Sequence, residues 1–280
     1  MKRVLSNPRG CRRRVGAFAA ALCLGSVALG QEEVPFITTP DQVTLAMLEL
    51  AAVGPADHLI DLGSGDGRIV ITAARRFGAR GLGVEIVPEL VKKSRELARA
   101  AGVQERVEFR EQDLFATDLG RASVVTMYLL PAVNLQLRPR LLALAPGTRV
   151  VSHDWDMGDW LPDRSLVVDV PDKAVGKEKV SRIHLWVVPA AAAGTWCAAG
   201  NRLEITQRFQ TFSATLTATA SPVPLVFDGR IEGPTLRAHG PQAFELRIDG
   251  DVLRTRRADA ATAPGWPAEA QFQRATSRNC

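Results

Sequence analysis

From His58 to Ser152 the chain alternates short apolar runs with longer amphipathic ones, and few architectures accommodate that order. The runs predict strands over His58–Leu62, Gly81–Ile86, Val107–Arg110, Ala122–Tyr128 and Arg149–Ser152, with helices over Arg68–Phe77, Pro88–Ala101 and Ala132–Leu144 between them. An earlier helix, opened by Thr39-Pro40 as N-cap and first-turn pair, runs to Val53 and stops at Gly54-Pro55. Such alternation builds a parallel sheet covered on both faces. Two more strand-like runs, Ser165–Val170 and Arg182–Val188, are joined by the polar stretch 171–181, which has no helical period. They predict an antiparallel hairpin at the sheet's far edge, for seven strands in all.

Past Pro189 the apolar period changes to two, as in Phe212–Thr219 and Phe244–Asp249, and Asp249-Gly250 is a hairpin signal. Residues 190–258 therefore predict a small antiparallel β domain of roughly six short strands, forming a sandwich, a barrel or a layer on the first domain. Residues 259–280 have no period and predict a disordered tail. Cys197 and Cys280 allow one disulfide, but Cys280 ends that tail, so two free thiols are the expectation.

The formal charge of +5 suggests a polyanion partner until its location is considered. Six basic residues and no acids lie in residues 1–30, which leaves 29 basic against 30 acidic residues in the remainder. The excess belongs to the leader, and no nucleic-acid partner is expected. That leader has an arginine-rich start, an apolar run from Val15 to Leu29, and Ala28-Leu29-Gly30 before Gln31. It resembles a secretory signal peptide, for export to the periplasm or cell envelope. The alternative is an uncleaved anchor that associates the protein with the inner membrane.

The chemistry centres on Asp61-Leu62-Gly63-Ser64-Gly65-Asp66-Gly67-Arg68, where the first strand turns through glycines into a helix. Gly63, Gly65 and Gly67 permit φ > 0 and close approach of a ligand to the backbone. The dinucleotide fingerprint G-x-G-x-x-G would require glycine at Arg68, so that reading fails. Twenty residues past Gly65, Glu85 ends the second strand, where a carboxylate can accept both hydroxyls of a ribose. Asp113 follows the third strand, placed to accept from an adenine amine with Leu114 packing on the ring.

Together these residues resemble the class I, seven-strand S-adenosylmethionine-dependent methyltransferases, whose fold is Rossmann-like, doubly wound α/β. The resemblance implies that Asp61 holds the cofactor's amino group, directly or through water. It also implies that the N–H groups of Ser64 to Gly67 face the amino-acid end of the cofactor. A narrower resemblance covers residues 35–163 through Pro35–Pro40, Asp61–Arg68, Asp113-Leu114-Phe115, Tyr128-Leu129-Leu130-Pro131 and Ser152-His153. These strings are similar to the lysine N-methyltransferases of mitochondria that act on the ATP synthase c subunit and the adenine nucleotide translocase, and to their bacterial relatives. The β domain and the leader depart from that pattern and bear on the acceptor more than on the chemistry.

By this resemblance the function is N-methylation of a protein lysine, with Tyr128 orienting the amine and Phe36, Thr39, Pro131, His153 and Trp155 lining the acceptor side. No dedicated base is required, and the histidines His58, His153, His184 and His239 lack metal-ligand spacing. Two other readings compete: methylation of a small molecule, and a non-catalytic envelope binding protein whose β domain does the work.

Overall fold

The computed structural model describes residues 37–174, 178–219, 221–239, 244–258, 266, 270–275 and 280. The leader and Phe36 lie outside the described residues. Seven strands form one sheet in the order β3-β2-β1-β4-β5-β7-β6. They are β1 (His58–Leu62), β2 (Arg80–Glu85), β3 (Val107–Glu111), β4 (Val124–Met127), β5 (Arg149–His153), β6 (Arg164–Asp169) and β7 (Val180–Val187). β1 to β5 pair in parallel, while β7 runs antiparallel to both β5 and β6. The fold is a Rossmann-like seven-strand sheet with a terminal antiparallel hairpin, followed by a separate all-antiparallel barrel.

Alternate side chains of the central strands enter two cores. Leu59, Val124 and Val151 pack with α1 (Asp41–Leu50), α2 (Arg68–Phe77) and α3 (Pro88–Ala100). Ile60, Leu62, Val125, Met127 and Val150 pack with α4 (Pro131–Leu142) and with Trp160 and Trp186. Both faces are therefore largely apolar, which is why β1 and β4 read as mainly hydrophobic runs, broken only by His58, Asp61 and Thr126.

α1 begins one residue later than expected. Pro40, at φ −57° and ψ 149°, takes the N-cap position, so Thr39 is freed from capping and its hydroxyl turns inward. Proline has no N–H to lose at a helix start, which makes it acceptable there.

The second domain is a closed barrel of eight antiparallel strands, with two more strands than predicted. It comprises β8 (Gly194–Ala198), β9 (Asn201–Arg208), β10 (Thr211–Ala218), β11 (Ser221–Glu232), β12 (Thr235–Ala238), β13 (Phe244–Asp249), β14 (Val252–Ala258) and β15 (Gln271–Arg274). Its interior holds Trp196, Phe212, Phe227, Phe244, Trp266 and Phe272. Gly229 in β11 is obligatory, because a Cβ there would lie 2.1 Å from Arg237 O.

Two expectations about the C-terminus are corrected. Residues 271–274 form the strand that joins β14 to β8, and Cys280 is disulfide-bonded to Cys197. The tail shows no apolar period, but Trp266 and Phe272 are buried in the barrel core and the backbone ladder supplies the rest.

The barrel docks on the sheet's β5–β7 side. Phe209, in the turn between β9 and β10, stacks against Trp160 at 6.2 Å, and Gln210 Nε2 donates to Leu161 O over 2.5 Å. Arg230 pairs with Asp163 at 2.5 Å, and Ala190 N–H donates to Gly233 O.

Candidate functional site

The glycine loop leaves β1 and enters α2 with φ of 74° at Gly63, 53° at Gly65 and 78° at Gly67. A Cβ on Gly67 would meet Phe109 Cε1 at 2.5 Å and Ser94 Cβ at 2.8 Å, so sterics and backbone conformation both require glycine. Gly63 is exposed, and its missing Cβ faces Leu129 Cδ2 at 3.0 Å. The loop thus abuts the segment after β4 across an open cradle.

Three carboxylates, Asp61, Asp66 and Glu85, adjoin this loop, and a fourth, Asp113, follows β3. Asp61 is 2% exposed, and its Oδ1 accepts from the Thr126 hydroxyl at 2.7 Å. Burial pushes its pKa up to about 7; the Thr126 bond opposes that rise, and the charges of Glu85 and Asp66 add to it. Burial acts on Asp66 as well, but the Arg68 guanidinium, bound through Nε and Nη2, holds it below the usual carboxylate range. The same guanidinium donates to Thr39 O at 3.0 Å and so ties the segment before α1 to the loop. Arg68, which on sequence grounds only excludes a dinucleotide, is in fact the clamp of the site.

Glu85 is fixed by three backbone donors. Its Oε2 accepts from Gly65 N–H at 3.0 Å, and its Oε1 from Ile86 N–H and Val87 N–H. Asp113 Oδ1 accepts from Phe115 N–H, capping the single 3-10 turn Leu114–Ala116, where Leu114 is half-buried. Ile86, 65% exposed beside Glu85, supplies an apolar surface that sequence reasoning passes over. Its signal is an isoleucine following the strand-end acid.

The expectation that the N–H groups of Ser64 to Gly67 face a ligand is corrected. Ser64 N–H bonds Val84 O, Gly65 N–H bonds Glu85, and Gly67 N–H bonds Ser64 O. Among the described residues only Asp66 N–H of that set lacks a protein acceptor, because the tight turn consumes the others internally. Ser64 Oγ, by contrast, is buried without a hydrogen-bond partner among the described residues. An orphaned buried hydroxyl, a cradle lacking a Cβ and a ring of carboxylates together suit a cationic ligand with hydroxyls. S-adenosylmethionine, which carries an ammonium, a sulfonium and a ribose diol, meets each of these demands.

Beside the loop, the ends of β4 and β5 assemble a second cluster. Tyr128 lies over His153 with ring centroids 3.9 Å apart, and its hydroxyl donates to Asp154 Oδ2 at 3.4 Å. His153 is 1% exposed and hydrogen-bonded to Thr39 Oγ1 at 3.2 Å and to Ser181 Oγ at 2.8 Å. Burial pushes its pKa down to about 4 against the pull of Asp154, so the ring is neutral at pH 7 and its 3.5 Å approach to Asp154 is not an ion pair. Burial also pushes the Tyr128 phenol up to about 12, reinforced by the Asp154 charge. For Asp154 burial is outweighed: the Lys173 ammonium and Arg182 N–H hold it below the usual range.

Thr39, Tyr128 and His153 thus converge. Pro131 is the first residue of α4, and Trp155 is 43% exposed on the rim with Leu130 at 49% and Leu135 at 46%. Asp154 and Lys173 are not singled out by sequence, since each looks like an ordinary loop charge. Among the described residues no group of three or more His, Cys, Asp or Glu is placed to hold a metal ion.

Comparison with known proteins adds three observations. Residues 61–164 match the family model described as the ANTKMT methyltransferase domain. A protein-lysine N-methyltransferase of Saccharolobus islandicus is 42% identical over 138 residues, spanning 49% of this chain and 86% of that one. The Mus musculus adenine nucleotide translocase lysine N-methyltransferase is 36% identical over 132 residues, 46% of this chain and 57% of its own length. A solved Salinibacter ruber protein described as an RNA methyltransferase, in complex with S-adenosyl-L-homocysteine, is 55% identical with a TM-score of 0.50. It spans 55% of this chain and 94% of that one.

Proposed function

Because the chain belongs to the protein-lysine N-methyltransferase family and is an S-adenosylmethionine-dependent methyltransferase, we propose that it methylates the Nζ of a lysine in another protein. The observation that carries this reading is the Tyr128–Asp154 contact at 3.4 Å, set at the carboxyl ends of β4 and β5 next to the glycine loop. Ligands bind at that edge of a doubly wound sheet.

Asp61 and Glu85 hold the cofactor's ammonium and ribose, and Asp113 with Leu114 and Ile86 receives the adenine. When bound, the cofactor supplies an electrophilic methyl on a cationic sulfur. The chain's residues must then present a neutral amine to it. Removing a proton from lysine at pH 7 costs roughly 4–5 kcal/mol, while holding the reacting atoms in line is worth up to about 7–11 kcal/mol. Positioning dominates, and Tyr128 and Asp154 supply it. Asp154 binds and orients the incoming ammonium, whose proton leaves to water, and the neutral His153 ring holds Tyr128 in place without adding charge.

The apolar rim of Leu130, Leu135 and Trp155 favours a lysine within a partly hydrophobic protein segment. Nucleic acid, named in the description of the Salinibacter protein, is disfavoured by the balance of 29 basic to 30 acidic residues beyond the leader. Residues 1–30 act as an export signal in this reading. The Cys197–Cys280 disulfide supports it, since such bonds persist in oxidising compartments.

The test incubates the chain and methyl-labelled cofactor with envelope and cytosol fractions. Label released by protease as methyl-lysine supports the proposal, and ribonuclease-sensitive or small-molecule label defeats it. An export reporter fused after Gln31 checks the location, and a cytoplasmic signal overturns it.

A further inference from the structure

A lysine of the chain itself is paired with the carboxylate proposed above to bind the acceptor amine. Lys173, between β6 and β7, places Nζ 2.7 Å from Asp154 Oδ2 and 2.6 Å from Val180 O. Its side chain is 12% exposed, whereas Lys92, Lys93 and Lys179 are exposed. Asp154 is locked toward it. At φ 63°, its N–H donates to Arg182 O at 2.6 Å and its Oδ1 accepts from Arg182 N–H at 3.0 Å, which leaves Oδ2 to Tyr128 and Lys173. Tyr128 precedes Leu129, the residue that faces Gly63 across the cradle. The path from glycine loop to Lys173 Nζ therefore runs through Leu129, Tyr128 and one carboxylate oxygen. Among the described residues, further titratable neighbours are the neutral His153 and Lys179, whose Nζ donates to Lys173 O.

We propose that Lys173 is an internal methyl acceptor, held in the acceptor-amine site by Asp154 and Tyr128 and modified in cis whenever no substrate lysine displaces it. This rests on the methyltransferase reading above. Nζ gives a proton to water while Asp154 and Tyr128 keep the nitrogen in place. The amine lone pair then forms the N–C bond as the methyl's C–S bond breaks, and sulfur keeps that electron pair as a thioether. Lysine and S-adenosylmethionine become N-methyllysine and S-adenosylhomocysteine, with one proton released.

The full chain is incubated with methyl-labelled S-adenosylmethionine and no added acceptor, then peptide-mapped by mass spectrometry. Calorimetry in parallel measures the binding of S-adenosylmethionine and S-adenosylhomocysteine. Label is expected on Lys173, not on the exposed Lys92 or Lys93, and is abolished in Lys173→Arg, which keeps the charge and the Asp154 pair. The affinity readout is independent of turnover. A cation opposite the sulfonium disfavours the donor, so Lys173→Met should raise its affinity relative to the thioether product by about tenfold; Lys173→Arg should leave that ratio as in wild type. If Lys173→Met does not fold, the wild-type and Lys173→Arg arms still decide. A chain that binds cofactor but leaves Lys173 unlabelled, or labels Lys92 and Lys93 equally, overturns the proposal and leaves the methyltransferase reading standing. An unchanged ratio in folded Lys173→Met overturns it as well. A chain that binds neither compound brings down both.

Discussion

The Thr126 hydroxyl donates to Asp61 Oδ1 over 2.7 Å, joining β4 to β1 directly beneath the glycine loop. Asp61, raised to about 7 by burial, binds the cofactor's ammonium only when ionised. Cofactor affinity is therefore expected to be flat above pH 7 and to fall toward tenfold per unit below it. Thr126→Val removes the interaction that opposes the rise and should move the break to higher pH. Asp61→Asn should weaken binding and flatten the profile. Calorimetry from pH 5.5 to 8.5 reads all three.

The same carboxylate sets a stability profile of opposite sign. Its folded pKa lies above the unfolded value, so between about pH 4 and 7 the native state binds more protons and stability falls as pH rises. Without cofactor, Asp61→Asn should melt higher than wild type at pH 8 and not at pH 4. Thermal denaturation at the two pH values checks this.

Two glycines of one loop should respond differently to alanine. Gly67→Ala combines positive φ with a Cβ 2.5 Å from Phe109, and is expected to cost about 2–5 kcal/mol of stability. Gly63→Ala meets only the flexible end of Leu129, so it should cost about 1–2 kcal/mol yet abolish cofactor binding by filling the cradle. Denaturant melts paired with cofactor titrations separate the cases; equal folding losses would refute the distinction.

Tyr128→Phe deletes one hydroxyl that touches Asp154 Oδ2. Loss of a positioning hydrogen bond worth about 1–1.5 kcal/mol should lower kcat about tenfold. Cofactor affinity should not change, because the hydroxyl lies on the acceptor side. A parallel fall in cofactor binding would place Tyr128 on the wrong side of the site.

Cys280→Ser opens the disulfide that spans 83 residues. A loss of roughly 2–5 kcal/mol is expected for the barrel, with cofactor binding intact because the loop belongs to the other domain. Urea unfolding with and without reductant, read beside calorimetry, tests that independence.

The cofactor side of the site is legible in sequence because Asp61, Glu85 and Asp113 lie at or within two residues of a strand's end. Asp61, Glu85 and Asp113 follow from counting strands, and local geometry does the rest. The acceptor side is only partly legible. Tyr128 and His153 end strands too, but Asp154 and Lys173 meet across 19 residues and a hairpin whose fold no periodicity announces. Thr39 reads as a cap in sequence, because Ser, Thr, Asn and Asp before proline look alike whether they cap a helix or face a histidine. The last barrel strand escapes for a related reason. Gln271–Arg274 carries one apolar side chain, and its pairing partners lie 17 or more residues away.

That last strand sets an order of assembly. The methyltransferase sheet is complete once β7 has emerged, whereas β8 and β14 both wait for β15. Until then the barrel presents two unpaired edges, the condition under which strands seek partners in other molecules. Loss of Gln271–Arg274 would leave the seven-strand sheet its own pairings and expose the edges of β8 and β14, so the barrel's protection from foreign strands rests on one short strand.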